Sequence, residues 1–204
     1  MTANRFASLT LIAILTVGTG ASTHAQTGVV PVLKSGRMAL SGTSNIHDWT
    51  AVSTAVKVTR LDVASAEGRE PLDVLTQPGG LTAFEIAVPV TSLSSPRDGL
   101  DKNMHKALRA QEHPAITFHL TRLESAGPDG TFKAVGVLTV AGKEKELTLS
   151  LTTERGASTL TVRGEVPLVM TDFAINPPRA MLGMLRTDPK VKVTFECVFQ
   201  TPQA

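Results

Sequence analysis

The chain has 204 residues, 42% of them hydrophobic and 19% charged, with 20 basic against 18 acidic side chains. A balance so close to neutral leaves no electrostatic footprint for nucleic acid. Cys197 is the only cysteine, which excludes an intramolecular disulfide and any multi-cysteine zinc or haem motif.

Residues 1–25 read as a secretory signal peptide. Arg5 supplies the positive charge, Leu9 to Val17 are mostly apolar, and the small residues around Thr23-His24-Ala25 place cleavage before Gln26. The apolar run is shorter than the ~20 residues a membrane span needs, so no membrane span is expected. No cysteine stands near the cleavage point to carry a lipid anchor. The expectation is export to the periplasm, with residues 26–204 forming one domain, a length sufficient to bury a core.

From Gly36 onward, apolar residues alternate with polar ones in eight runs separated by turn residues, the pattern of half-buried strands. The first two are Gly36 to Ser44, with Met38 and Leu40 on one face, and Thr50 to Arg60, with Val52, Val56 and Val58. Next come Leu81 to Val90, with Phe84, Ile86 and Val88, and Ala115 to Glu124, with Ile116, Phe118 and Leu120. The later runs carry Ala134, Leu138 and Val140; then Leu147, Leu149 and Leu151; then Leu160, Val162, Val166 and Leu168. Val191, Val193, Phe195, Cys197 and Phe199 form the last. Eight antiparallel strands with one apolar face predict a closed all-β barrel, and closure removes the exposed edges.

Between Ser95 and Gln111 the period changes. Leu100, Met104, Ala107 and Leu108 recur at helical spacing, with Ser95 as the cap, Pro96 at the first position and Asp98 at the third. This predicts a short amphipathic helix across the barrel. Asp62 to Gly80 and Asn176 to Asp188 read as long loops. The second holds Met181 and Met184, which suit either a lid over a ligand entrance or packing on the barrel end.

Catalytic and metal motifs are missing. There is no Gly-x-Ser-x-Gly elbow, no His-Glu-x-x-His helix and no phosphate-cradling loop. His47, His105, His113 and His119 have no metal-binding spacing; His119 belongs to the outward face, and Cys197 is expected as a buried, inert thiol. No catalytic residue, metal or cofactor is assigned.

Several segments in order resemble the YceI-like family of periplasmic lipid-binding proteins. They are Leu40 to Trp49, Val90 to Leu93 with Arg97-Asp98, Met104 to Leu108, His113 to Phe118, Gly136 to Gly142, and Met170 to Ile175. His113 stands where the family commonly has Tyr, and Ala174 where it commonly has Gly. The resemblance implies an extended, lipocalin-like barrel of eight antiparallel strands. It also implies an interior holding a polyisoprenoid, an isoprenoid quinone or a related lipid. In this sequence Ala134, Gly136 and Gly164 fall on the inward face and are expected to leave room for it. The expected lining is Phe84, Ile86, Val88, Phe118, Leu120, Leu138, Leu149, Val162 and Phe195, with Met181 and Met184 at the entrance. The expected partner is the apolar ligand, and a homodimer is compatible with the sequence. Two other readings stay open: a barrel filled by its own side chains that acts through its loops, and an enzyme acting on a bound isoprenoid.

Overall fold

The computed structural model describes residues 29–64, 70–125, 131–180 and 184–202; the expected signal peptide and Met181 lie outside them. The strands are β1 (Val32–Ser44), β2 (Asp48–Ser53), β3 (Lys57–Val63), β4 (Leu81–Pro89), β5 (Ala115–Ser125) and β6 (Thr131–Val140). They continue as β7 (Lys143–Arg155), β8 (Thr159–Val169), the two-residue β9 (Arg179–Ala180) and β10 (Leu185–Gln200). All pairings are antiparallel, in the order β2-β1-β10-β8-β7-β6-β5-β4-β3, with β9 paired to β10 outside this path.

The two ends of this order, β2 and β3, are the two halves of one predicted run. Only Thr54, Ala55 and Val56 separate them, and four residue steps span at most about 14 Å. The edges of the curled sheet are therefore held together by the chain itself: β2 pairs with β1, and β3 with β4. Around the seam, Val52 exchanges both backbone hydrogen bonds with Ser94 (2.8 and 3.0 Å). The Ala55 N–H donates to Ser53 Oγ (3.1 Å), Ser53 Oγ contacts Ser92 Oγ (2.7 Å), and Ser92 Oγ donates to the Pro89 carbonyl (2.6 Å). Each hydroxyl has one proton, so Ser53 must donate to Ser92. Ser53 is 2% exposed, and this chain of bonds satisfies its hydroxyl away from water.

The break corrects the expected face of the second run. Ala51 and Ser53 are buried in β2, whereas Val52 is half-buried. Beyond the break the phase changes, so Val56 is buried and Val58 packs against the core. A β-bulge does the same in β5. The register slips between Leu120 and Arg122; Arg122 points outward to Glu124 (2.7 Å) and Leu123 turns to the apolar side.

The barrel ends are covered differently. The segment expected as a loop from Asp62 to Gly80 holds a one-turn helix, α1 (Pro71–Val74). Its Leu72 and Val74, with the following Leu75, are buried, and Asp73 pairs with Arg155 (3.2 Å) on the rim of β7. The opposite end carries α2 (Asp98–Ala107). It starts later than expected because Arg97 is extended, and Arg97, not Ser95, is the N-cap residue. Asp101 reaches back instead, accepting from the Ser95 N–H (2.9 Å) and Ser95 Oγ (2.6 Å). This contact also places a carboxylate in the first turn, where the helix dipole favours it.

Ala174 closes the short 3-10 turn Met170–Phe173 in the left-handed region (φ 55°). An L-residue pays about 1–2 kcal/mol for this conformation, partly offset in any glycine variant by the entropy of a freer unfolded chain. Ala174→Gly is expected to stabilise the protein by up to about 1 kcal/mol, read as a higher denaturant midpoint at unchanged slope. Ser53→Ala removes the link between Ala55 and Ser92 and is expected to cost about 1–3 kcal/mol in the same titration. Equal stability would show that the seam does not depend on this hydroxyl.

Candidate functional site

The inward residues of most strands surround one cavity of about 430 Å³, within the ~300–1,000 Å³ range of small-molecule sites. Phe84, Ile86, Val88, Phe118, Leu120, Leu138, Leu149, Val162 and Phe195 all line it, as alternation places them. Met184 does not: it is 66% exposed, because it sits in the turn before β10 and the inward side of that segment begins at Leu185. On β10 the lining runs from Leu185 to Phe199, about 46 Å of strand at ~3.3 Å per residue. The cavity is accordingly long.

The lumen stays open by a different route from the one the small residues suggested. Gly136 and Gly164 do not leave empty space. A Cβ at Gly164 would stand 2.5 Å from the Phe195 ring, and one at Gly136 2.5 Å from the Phe118 ring. Gly164 is the direct cross-strand partner of Phe195. Each glycine thus lets a neighbouring ring lie close against the wall of the barrel. Trp49 uses Gly42, its cross-strand partner, in the same way (2.5 Å). Its indole N–H has no hydrogen-bond partner among the described residues.

Polarity is distributed along the cavity in one direction. Strand direction puts the β1–β2 turn, α2, the β6–β7 turn and the segment before β10 at the same end. The polar lining residues Ser44, His47, Arg97, Asn103, Arg179 and Thr187 belong to that end, and Thr117 lies near the start of β5 on the same side. Toward the other end the lining is Leu75, Leu81, Leu123, Ala134, Leu149 and Leu151. Arg97 donates to Nε2 of His47; a guanidinium can only donate, so the neutral His47 ring carries its proton on Nδ1. This bond ties the start of α2 to the β1–β2 turn. His105 holds the same helix from its other face, through Nε2 to the Leu93 carbonyl (2.8 Å).

The other singled-out side chains serve structure. His119 pairs with Glu85 on the outer face (3.1 Å), and the His113 ring lies against Gly142 in the β6–β7 turn. Cys197 faces the lumen, and burial pushes its thiol up to about 11, so it stays protonated at neutral pH. Sequence alternation located the walls and helical spacing located one end, where Leu100, Met104 and Ala107 of α2 and Leu108 at its cap line the cavity; only the other end, where Leu75 follows α1, was missed. The signal for α1 was present in Leu72-x-Val74-Leu75 after Pro71, but one helical turn is too short to show a period.

Because the Phe195 ring sits against Gly164, a side chain there must push the ring into the lumen. Gly164→Val is expected to keep the barrel fold at a cost of about 1–3 kcal/mol, while reducing the uptake of an apolar fluorescent probe to less than half. Undiminished uptake would show that the ring does not control the space.

A YceI-like domain model matches residues 40–199. No curated protein sequence matches the chain. Among solved structures, Burkholderia cenocepacia BcnA superposes with a TM-score of 0.63 at 18% identity, covering 81% of this chain and 96% of its own. A polyisoprenoid binding domain from Saccharophagus degradans, implicated in plant cell wall breakdown, gives 0.64 at 12% identity, with 85% and 99% covered. The Campylobacter jejuni YCEI protein gives 0.54 at 15% identity, with 98% and 100% covered. At these identities the structures speak for the fold, and the match over residues 40–199 speaks for the family: the chain belongs to the YceI-like family.

Proposed function

We propose that the protein binds one amphiphile with a long apolar chain, of the polyisoprenoid or isoprenoid-quinone type, and carries or sequesters it in the periplasm after export by residues 1–25. The observation that carries this reading is the polarity of the cavity: a long apolar lumen with its polar side chains gathered at one end. The chain of the ligand lies among Phe84, Ile86, Phe118, Leu138, Leu149, Val162 and Phe195. Its head meets Arg97, Asn103 and Arg179 at the mouth. The Saccharophagus degradans neighbour, described as a polyisoprenoid binding domain, supports the ligand class.

The energetics suit such a ligand. Each buried CH₂ contributes about 0.8 kcal/mol, so about fifteen buried carbons contribute roughly 12 kcal/mol, against about 4–15 kcal/mol for lost translational and rotational freedom. A long chain is needed, and it needs no directional partner along the lumen. Binding rather than catalysis is favoured by the chemistry of the lining. Deep in the lumen the ionisable group among the described residues is Cys197, held protonated by burial, and a thiol is a far weaker nucleophile than a thiolate.

Native mass spectrometry of the protein from its own host, followed by lipid extraction, tests the reading. One prenyl lipid or quinone per chain is the expected result; a protein that is empty and takes up no isoprenoid of any offered length would refute it. Cys197 supplies an independent readout. Its labelling by a small thiol reagent is expected to be slow at pH 7, to rise as the pH approaches 11, and to fall at least tenfold when the lipid is bound.

A further inference from the structure

At the end away from its polar mouth, the cavity meets a side chain that comes from outside the sheet. Leu75, which follows α1, lines the cavity and is 8% exposed; Leu72 and Val74 are buried without reaching the lining. Two rings meet at the same end. Phe84 lies near the start of β4 and Phe199 near the end of β10, and strand direction puts both on the α1 side. Their centroids are 6.3 Å apart at an interplanar angle of 61°, an edge-to-face contact. β4 and β10 are not neighbours in the sheet, so this contact is made across the interior. Leu75 belongs to one packed cluster with Leu72, Leu160 and Phe199, and Phe84 packs against it.

A floor limits a ligand only if it does not yield, and this one is braced. Asp73 of α1 pairs with Arg155 on the rim of β7 (3.2 Å). The Ala64 N–H donates to the Gly80 carbonyl (2.8 Å), tying the chain where it leaves β3 to the point where it enters β4. The Gly80 N–H donates to the Gln77 carbonyl (2.9 Å), and a Cβ on Gly80 would stand 1.9 Å from the Val74 carbonyl oxygen, so the segment is folded tightly on itself. The distance from mouth to floor is then fixed. From Thr187 to Phe199, β10 runs about 40 Å at ~3.3 Å per residue, or about 30 Å along the axis of a barrel whose strands tilt by ~40°. An extended chain advances about 1.2 Å per main-chain bond. An isoprene unit therefore takes about 5 Å, and about six units span the lumen.

We propose that Leu75, with the Phe84–Phe199 pair, is a chain-length stop: the protein takes prenyl chains of up to about six isoprene units with the head at the mouth, and rejects longer ones. The proposal rests on the lipid-binding reading of the cavity and adds to it the residues that set the length limit. A chain longer than the lumen either leaves carbons in water or pushes its head off the polar mouth. Either way the added unit loses the burial that the earlier units gained.

The test is a competition. The full chain is mixed with detergent micelles carrying an equimolar ladder of prenols, each one isoprene unit longer than the last, and native mass spectrometry reads which are bound. The wild type is expected to bind chains up to a limit and to bind the next member at least about tenfold less, because its extra carbons would leave the micelle for water. Leu75→Ala with Phe84→Ala removes more carbon than one isoprene unit contains and is expected to move the limit up by one unit. Leu75→Trp, which fills the floor, is expected to move it down by one unit. Thermal melting checks that each variant is folded, with Leu75→Phe as the milder filling variant. Binding of all lengths alike, or a limit that stays in place in the folded filling variant and the folded double variant, overturns the stop while the lipid-binding reading stands. Binding of no prenol of any length overturns both.

Discussion

Closure of the sheet depends on one stretch of chain, residues 48–63, serving two neighbours. Its first half pairs with β1 and its second with β4, so the two edges of the curled sheet are joined by the chain and not by hydrogen bonds between β2 and β3. The three-residue break at Thr54–Val56 lets the chain move from one edge to the other and resets which side chains face inward. The same place must hide polar groups: the Val52–Ser94 bridge and the hydroxyl chain from Ser53 to the Pro89 carbonyl satisfy them. Without closure the inward rows would face solvent, and no lumen would exist.

A barrel-like sheet of this size is easily filled by its own side chains. Two features keep this one open. The aromatic rings are laid against the wall over glycines, Phe195 over Gly164 and Phe118 over Gly136. The ends are covered by elements from outside the sheet, Leu72, Val74 and Leu75 around α1 at one end and α2 at the other. The apolar face of α2, through Leu100, Met104 and Leu108, is spent on the cavity and not on a sheet surface. A helix of ten residues has little stability alone; Asp101 with Ser95, His105 with Leu93 and Arg97 with His47 hold it in position.

Outside the lumen, charge is arranged for the sheet and not for chemistry. Arg163 on β8 bonds Glu196 on β10 (2.6 Å) and Glu154 on β7 (2.8 Å), and these carboxylates raise its pKa. Such exposed pairs contribute little individually.

The amino-acid sequence by itself determined the inward face of most strands, because a side-chain period of two assigns faces without reference to partners. Phe84, Ile86, Val88 and Phe118 needed nothing more, and the ordered segments from Leu40 to Ile175 were enough to indicate the family. Wherever the phase slips, the sequence by itself misled. Val52 lost its expected place to Ala51 because the strand breaks two residues later, and Leu123 turned inward because a bulge after Leu120 shifts the register. Neither irregularity has a local signature, since each exists to fit a neighbouring strand. The tertiary structure alone decided that Gly136 and Gly164 seat aromatic rings, that Leu72 and Val74 cover an end, and that Met184 faces outward beside Ile46 while Arg97 and His47 meet at the mouth. These are contacts between residues far apart in the chain, fixed by closure of the barrel and by no pattern that a single strand can carry.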